Sequence, residues 1–305
     1  MIKKYGSDIV LSDLLGLISG DYEERQALGS PRYIQKRNCD MQWTEEQLKE
    51  FDCNGVLFVE SLFNEMEIAA LNSELPKILR REGPVNLKEQ KSDSIRSAIA
   101  PHHSSDLYRR LSLHPRIIEP AIQYLGGPVY LHQFKVNTKN AHDGEIWHWH
   151  QDYRTWFEDD GMAKPNVINA ALFLDEVTEF NGPIMFVVGS HKLGMIPSDQ
   201  TFQRIPGYGR LAEDAIGSPY ANETIDRLIN KFGLIAPKGP AGSVVFFHGC
   251  TLHGSVPNMS PWNRTVVFWS PNRTNNAITA PTRPEFLALQ DFSAVEPLAD
   301  DCLVD

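Results

Sequence analysis

The segment EIWHWHQDYRTWFEDD, residues 145–160, concentrates side chains that could bind a metal ion. If this segment is a β-strand, residues two apart point to the same side, so His150 and Asp152 could contact one ion. A neutral imidazole and a carboxylate together suit a divalent ion of intermediate hardness. A single His-x-Asp pair is weak support for a metal site, because such pairs also occur in proteins that bind no metal.

A second segment, FFHGCTLHGSVPNMSPWNRTVVFW, supplies the groups that this pair lacks. His253 would complete a facial triad of two histidines and one carboxylate, which leaves three coordination positions open. Arg264 follows on the next predicted strand, and its planar fork could hold a dicarboxylate by two parallel hydrogen bonds. These four residues together indicate a non-haem iron oxygenase that uses 2-oxoglutarate.

Two further histidines are alternatives as metal ligands. His148 shares the parity of His150 along the predicted strand, but it lies four residues before Asp152 and out of easy reach of a shared ion. His248 would place Arg264 too far downstream for the same arrangement. We therefore assign both histidines to packing or to a supporting role beside the metal.

Other functions fit only part of the set. A zinc hydrolase could use two histidines and one aspartate, but no general base is evident and Arg264 would have no role. A halogenase needs a vacant position for chloride, and Asp152 argues against it. A non-catalytic β-barrel binding protein would not need all four residues. Desaturation or epimerisation instead of hydroxylation stays open, because these outcomes depend on geometry that a sequence does not show.

The elements that must position these residues fall into a helical part and a β-rich part. From residue 44 to about residue 125 the patterns are mostly helical, and TEEQLKEFDCNG combines a capping box with Gly55 as a stop signal. Five strand-like segments follow Gly127: PVYLHQFKVNTKN, VINAALFLDEV, GPIMFVVGSH, GSVVFFHGCTLHGS and RTVVFWSPN. This order predicts a mainly β fold, a sandwich or a barrel, with flanking helices.

The same patterns predict the domain organisation. We expect residues 1–43 to form an N-terminal arm or cap, and residues 44–305 to form a single domain. Within that domain a helical buttress, about 44–125, would support a β core, about 128–275. Residues 197–238 form a long insertion between strands, for which a lid and a surface excursion without function are both open.

The composition of the chain limits the kinds of molecule that it is expected to bind. The chain has 305 residues, a formal net charge of -10 and a pI near 5.5, which argues against a nucleic-acid partner. No apolar run approaches the roughly 18 residues that cross a bilayer, and acidic residues interrupt the apolar N-terminal stretch before a signal-peptide core could form. We therefore expect a cytoplasmic protein that does not bind membranes.

The four cysteines are too widely spaced for a disulfide framework or a structural zinc site. They are Cys39, Cys53, Cys250 and Cys302. Cys250 lies three residues before His253, but a small buried thiol on a strand explains it better than a nucleophile does.

The run WHQDYRTWFEDDGM resembles the motif W-H-S-D-F-E-T-W, followed by E-D-G-M, of the phytanoyl-CoA dioxygenase superfamily, and within it of the ectoine hydroxylases. The similarity extends to HQFKVNTKN, EFNGPIMFVVGSHK, CTLHGS and SPWNRTVVF, and it covers roughly residues 45 to 295. The resemblance implies a double-stranded β-helix (a cupin-like jelly roll) with supporting helices. It also implies an enzyme that depends on Fe(II) and 2-oxoglutarate.

The resemblance further implies roles for individual residues. It places Fe(II) at His150, Asp152 and His253. It places 2-oxoglutarate contacts at Lys139, Ser255 and Arg264, and substrate contacts at Gln133, Thr155 and Trp156. The chain departs from the ectoine hydroxylases at Gln151, Tyr153, Arg154 and Phe157. These departures leave the cofactor residues intact, but they leave the substrate open.

The expected reaction is hydroxylation of an sp3 carbon with dioxygen, with release of succinate and carbon dioxide. Gln133, Thr155 and Trp156 would suit a compact polar substrate such as a free amino acid or a small cyclic derivative, of which ectoine is the leading example. An acyl thioester of coenzyme A would need a basic groove for its phosphates, and no lysine cluster accompanies the motif. Arg154 would bind a substrate carboxylate if it faced the pocket and would do nothing for binding if it faced solvent. We expect a monomer or a homodimer.

Overall fold

The computed structural model describes residues 41–199 and 217–304. Nearly all of the predicted N-terminal arm, and the middle of the predicted insertion at 197–238, lie outside the described residues. Of that insertion the described part includes a helix, Asn222–Phe232, and a short strand, Leu234–Ile235.

Helices occupy mainly the first third of the described chain. They are α1 (Glu45–Asn54), α2 (Glu65–Leu79), α3 (Asp106–Ser112), α4 (Pro115–Leu125), α5 (Asp152–Asp160) and α6 (Asn222–Phe232). The predicted capping box of α1 is present: Gln47 N donates to Thr44 Oγ1 at 3.2 Å, and Thr44 N donates to Gln47 Oε1 at 3.0 Å. Gly55 ends the helix at φ 66°, a left-handed conformation that favours glycine.

Strands form two antiparallel sheets. They are β1 (Val56–Val59), β2 (Asn86–Lys88), β3 (Ile95–Ile99), β4 (Val129–Lys139), β5 (Trp147–His150), β6 (Ile168–Phe173), β7 (Ile184–Val187), β8 (Leu234–Ile235), β9 (Val244–His248), β10 (His253–Ser255) and β11 (Arg264–Arg273). The larger sheet has the order β1-β9-β6-β11-β4-β3-β2, and the smaller has the order β5-β10-β7-β8. The architecture is a double-stranded β-helix with flanking helices, as the sequence predicted.

The structure adds two features that the strand patterns did not predict. The segment GSVVFFHGCTLHGS contains two strands, β9 and β10, and the turn at residues 249–252 carries the chain from one sheet to the other. The predicted helical buttress is interrupted by β2 and β3, which extend the larger sheet beyond β4. The short segment around β3 was too brief for its alternation to outweigh the helical patterns on either side.

Strand register divides the inner face of the larger sheet into an apolar and a polar half. On β1, β9 and β6 the inward side chains are largely apolar and join one core cluster, which includes Val56, Phe58, Ala171, Phe173, Val245 and Phe247. On β4 the same face carries Gln133, Lys135, Asn137 and Lys139, and Lys139 lies opposite Arg264 of β11. A polar site can therefore form at the β4–β11 side of the interior without disrupting the core.

The outer face of the larger sheet packs on the helices. Side chains such as Leu57, Phe134, Val136, Phe246 and Trp269 form a second core cluster with residues of α1 to α4. This layer buries the outer face of the larger sheet.

The segment after β11 is held against β4 and α5 although it contains almost no regular structure. Leu289 N donates to His132 O at 3.0 Å, and Val295 N donates to Val129 O at 2.9 Å. Arg283 forms a two-pronged ion pair with Asp160, with one hydrogen bond at 2.8 Å, and both side chains are buried. The C-terminal segment is thus an integral part of the fold. No helix of the described ranges is both long and apolar enough to cross a membrane.

Candidate metal centre

Two histidines face each other across the smaller sheet. His150 of β5 pairs with His253 of β10, and their ring centroids are 4.2 Å apart. His150 Nδ1 lies 2.6 Å from His148 O, and His253 Nδ1 lies 2.9 Å from Thr251 O. A carbonyl oxygen can only accept, so each Nδ1 carries the proton and each Nε2 keeps its lone pair for a metal ion.

Asp152 reaches this pair from a helix and not from a strand. The expectation that residues 150 and 152 alternate along one strand is wrong, since β5 ends at His150 and Asp152 is the first residue of α5. Gln151 between them is extended (φ -119°, ψ 124°), and its side chain is bound on both sides, donating to Cys250 O at 2.5 Å and accepting from Ile196 N at 2.8 Å. A carboxylate in the first turn of a helix is favoured by the exposed N–H groups there.

The three side chains nevertheless converge on one point. His150 Nε2 lies 3.6 Å from Asp152 Oδ1, and His253 Nε2 lies 3.7 Å from Asp152 Oδ2. One ligand atom from each of the three residues lies within 4.8 Å of the others. This set of two imidazole nitrogens and one carboxylate oxygen fits Fe(II) with positions left open for other ligands.

The protonation states also suit a metal ion. Burial, with a smaller contribution from His150, lowers the pKa of His253 to about 4. Burial alone would raise the pKa of Asp152, but the neighbouring His253 and His150 outweigh it and the net shift is downward. Near neutral pH the centre therefore offers a neutral imidazole and an ionised carboxylate, as coordination requires.

The centre opens into a pocket that encloses about 480 Å³, its mouth included. Thirteen residues line this pocket: Lys135, Asn137, Trp147, His150, Asp152, Asn169, Ile184, His253, Gly254, Ser255, Arg264, Phe268 and Ser270. The predicted metal ligands, Ser255 and Arg264 thus meet in one cavity.

Arg264 is a buried cation aimed at this cavity. Its side chain is 2% exposed, its Nη2 donates to Ser255 Oγ at 3.4 Å, and its Nε has no hydrogen-bond partner among the described residues. Burial, aided by the charge of Arg96, lowers the pKa of Arg264 to about 10, so the guanidinium is still charged near neutral pH. A buried guanidinium with unused donors is suited to a carboxylate ligand, and the far carboxylate of 2-oxoglutarate fits this requirement.

Lys139 lies beside Arg264 but outside the pocket lining. Its Nζ donates to Val256 O at 2.7 Å and also to Glu145 O, and the side chain is buried. Burial, together with the charges of Arg264 and Arg96, lowers the pKa of Lys139 to about 6. The amino group is therefore held by backbone carbonyls at the ends of β5 and β10.

The three predicted substrate contacts are not part of the pocket lining. Gln133 has the inward parity of β4, but its Nε2 donates to Leu287 O of the C-terminal segment at 2.6 Å. Trp156 packs edge-on against His132, with centroids 5.4 Å apart, and Thr155 is buried next to it on α5. Their substrate roles stay predictions.

Arg154 fits neither of its two predicted alternatives. The side chain is buried rather than solvated, and it does not line the pocket. It pairs with Glu158 at 2.8 Å and donates to Ile196 O. It joins α5 to the segment that follows β7.

Sequence reasoning missed several lining residues. Lys135 and Asn137 share the parity of Gln133 and Lys139 on β4, so strand alternation could have found them. Trp147 gave a weaker signal, because its position depends on a distant residue: the Arg96 guanidinium lies 3.8 Å from the Trp147 ring centroid. Arg96 is fixed in turn by a buried ion pair with Glu89 at 2.7 Å.

The remaining histidine and cysteine candidates lie elsewhere. His248 Nδ1 accepts from Cys250 N at 3.0 Å, and its ring packs 5.4 Å from that of His191. His148 gives its carbonyl, not its ring, to His150. Burial raises the pKa of the Cys250 thiol to about 12, which argues against a nucleophile.

Sequence comparison places this geometry in a known context. The family profile described as phytanoyl-CoA dioxygenase (PhyH) matches residues 51–266. The chain is 34% identical to the L-proline trans-4-hydroxylase of Streptomyces griseoviridis over 252 residues, which cover 82% of this chain and 94% of that protein. It is 35% identical to the ectoine dioxygenase of Bordetella parapertussis over 277 residues, which cover 85% and 87%.

Solved structures give the same result. The EctD of S. alaskensis with 2-oxoglutarate and 5-hydroxyectoine matches with a TM-score of 0.72 and 28% identity, over 87% of this chain and 90% of that one. The same protein with bound Fe also gives a TM-score of 0.72, at 27% identity, over 88% and 92%.

Proposed function

This chain belongs to the phytanoyl-CoA dioxygenase family, and on that premise we propose that it hydroxylates a small nitrogen-containing ring that carries a carboxylate. It is an Fe(II)- and 2-oxoglutarate-dependent dioxygenase. The observation that carries the proposal is that His150, Asp152, His253 and Arg264 share one pocket.

In the proposed assignment, His150, Asp152 and His253 hold the iron. When bound, Fe(II) supplies the activation of dioxygen that oxidises an unactivated C–H bond, while 2-oxoglutarate is converted to succinate and carbon dioxide. The protein contributes three donors that are already oriented and carry the right charge. It also surrounds them with apolar walls such as Ile184 and Phe268, which keep bulk water away from the reacting carbon.

Arg264 would bind the far carboxylate of 2-oxoglutarate, and the Ser255 hydroxyl beside it would add a hydrogen bond. Lys139 lies opposite Arg264 in the β4–β11 ladder, which supports a role for its amino group as a hydrogen-bond donor next to the cosubstrate. Because Lys139 also binds two backbone carbonyls, its contribution would include holding the ends of β5 and β10 in place.

The substrate class rests on the relatives and on the lining. Two relatives are named for L-proline and for ectoine, and both compounds are small nitrogen rings with a carboxylate. Lys135 places an ammonium in the pocket, 5.7 Å from the centre of the Phe268 ring. A cation for the substrate carboxylate and an aromatic wall for the ring support this class. Gln133, Thr155 and Trp156 remain proposed substrate contacts. Because they do not line the pocket in this structure, side chains would have to move for the substrate to reach them.

A substrate panel tests the proposal. Purified protein with Fe(II) and 2-oxoglutarate would be incubated separately with ectoine, L-proline, other free amino acids and an acyl-coenzyme A. We expect succinate formation coupled to the gain of one oxygen atom in a ring carboxylate, and none in the Asp152→Ala variant. Succinate coupled to the acyl-coenzyme A alone would contradict the substrate class.

A further inference from the structure

A hydrogen-bonded chain leads from the larger sheet to the proposed metal ligand Asp152. Asn169 of β6 donates from Nδ2 to Asp152 Oδ2 at 2.9 Å. Ser270 of β11 donates from Oγ to Asn169 Oδ1 at 2.6 Å. Asn169 and Ser270 are each 2% exposed, and both line the pocket.

The position of Asn169 is unusual for its strand. The other inward-facing residues of β6, Ala171 and Phe173, belong to the apolar core, and the cross-strand neighbour of Asn169 on β9 is Phe247. A buried amide on an apolar surface destabilises the fold unless its hydrogen bonds are made. The amide of Asn169 therefore depends on Asp152 and Ser270 for its place in the core.

The direction of these bonds is set by chemistry. An ionised carboxylate can only accept, so the amide nitrogen of Asn169 must face Asp152 and its oxygen must face Ser270. The Ser270 hydroxyl, which can donate, satisfies that oxygen. Asn169 is thus locked with its N–H toward one particular oxygen of the carboxylate, Oδ2.

This contact distinguishes the two oxygens of Asp152. Oδ2 accepts the hydrogen bond from the Asn169 amide and lies 3.7 Å from His253 Nε2, whereas Oδ1 accepts nothing from Asn169 and lies 3.6 Å from His150 Nε2. A carboxylate in the first residue of a helix could otherwise turn toward the pocket mouth or offer both oxygens to one ion. The hydrogen bond from Asn169 fixes this rotation and lowers the electron density on Oδ2. Metal binding through Oδ1 is thereby favoured, which preserves the open positions that the cosubstrate and dioxygen need.

We infer that Asn169 is a positioning residue of the metal centre, oriented by Ser270, and that it sets the binding mode of Asp152. The inference rests on the proposed metal role of Asp152. Residues that orient metal ligands typically change metal affinity or activity by 10–100-fold when they are replaced.

The test uses Co(II) binding to the metal-free full-length protein, followed by calorimetry and by the Co(II) absorption spectrum. Asn169→Leu removes the donor at nearly constant volume, and we expect its Co(II) affinity to fall by roughly 10–100-fold with an altered spectrum. Asn169→Asp places a second carboxylate against Asp152 and should also change the spectrum. Ser270→Ala is a milder change and should also lower the Co(II) affinity, by a smaller factor. It provides the test if the Asn169 variants do not fold.

Two controls separate this inference from the proposed metal site. Asn272→Leu removes a buried amide of β11 that contacts Tyr130 and Asn276 and does not line the pocket, and it should leave the Co(II) affinity unchanged. Asp152→Ala should lose the metal. If Asp152→Ala bound Co(II) as tightly as the wild type, the proposed metal site itself would be wrong. Unchanged affinity and spectrum in Asn169→Leu and Ser270→Ala, beside loss of binding in Asp152→Ala, would overturn the role of Asn169 alone.

Discussion

His150 and His253 are directly opposite each other in the β5–β10 pair, and each donates its Nδ1 proton to a carbonyl two residues earlier in its own chain. The metal-binding nitrogens are therefore oriented by the backbone before any ion arrives. Since the strands already fix the two imidazoles, these side chains lose little conformational entropy when the metal binds.

The metal ligands can be tested by single substitutions. His150→Ala, Asp152→Ala and His253→Ala each remove one of three donors, so each should abolish iron-dependent turnover and lower the iron content after anaerobic reconstitution. His148→Ala and His248→Ala are matched controls and should retain much of both. Iron lost through His148→Ala but retained in His150→Ala would refute the assignment.

Arg264→Lys tests the cosubstrate site. Lysine keeps the positive charge but loses the planar fork, so the affinity for 2-oxoglutarate should fall by about 1.5–3 kcal/mol. Anaerobic calorimetry with the iron-loaded protein would measure this loss. Arg227→Lys on α6, where the arginine is exposed and contacts Thr224, should bind 2-oxoglutarate like wild type. Equal affinities in both variants would rule out the role of Arg264.

The ion pair between Arg283 and Asp160 tests how the C-terminal segment stabilises the fold. Arg283→Met leaves a buried carboxylate without its cation, so the free energy of unfolding in urea should fall by about 3–5 kcal/mol. Arg109→Met breaks an exposed pair with Asp106 and should leave the free energy of unfolding nearly unchanged, because solvent screens such pairs. If Arg283→Met and Arg109→Met lose the same small free energy of unfolding, the buried ion pair stabilises the fold no more than the exposed one does.

His114 should make stability depend on pH. Burial, followed by the charge of Arg116, lowers the pKa of His114 to about 4, and its Nδ1 accepts from Arg116 N at the start of α4. The unfolded chain binds this proton with a pKa near 6.5, so stability is intact above about pH 6.5 and falls as the pH drops toward 4. Between pH 7 and pH 5 the loss from His114 alone should be about 2 kcal/mol.

The matched variant for that prediction is His114→Asn, which keeps an oxygen acceptor at the helix start but cannot titrate. Its free energy of unfolding in urea should lose about 2 kcal/mol less than wild type over the same pH interval. Asp300 and Glu67, which also neighbour His114, are unchanged in the variant, so the difference isolates the imidazole. Parallel pH profiles for the two proteins would contradict the prediction.

Much of the fold was predictable because its signals are local. The capping box at Thr44, the stop at Gly55 and the alternation of β4 are each written in fewer than a dozen residues. The candidate metal ligands and Arg264 were also predictable, because residue type and spacing together identify them. The structure brings all four into one pocket.

The features that were not predictable depend on contacts between residues that are far apart in the sequence. Gln133 has the inward parity of β4, but no pattern in the sequence could show that the Leu287 carbonyl would accept from its amide. The helix that begins at Asp152 was hidden by the aromatic, strand-like residues before it, although Gly161 at its end was a visible stop signal. Asn169 was missed because a single amide in an apolar strand looks like an exception until Asp152 is seen next to it.

The β1–β9 and β5–β10 pairings determine when during folding the metal can bind. Val56 lies opposite Phe247, and His150 lies opposite His253, so both contacts close very long loops. Such non-local pairings form slowly, and the complete triad exists only after they have formed. Iron would then bind after the main folding barrier, so it should slow unfolding while leaving the rate of refolding nearly unchanged.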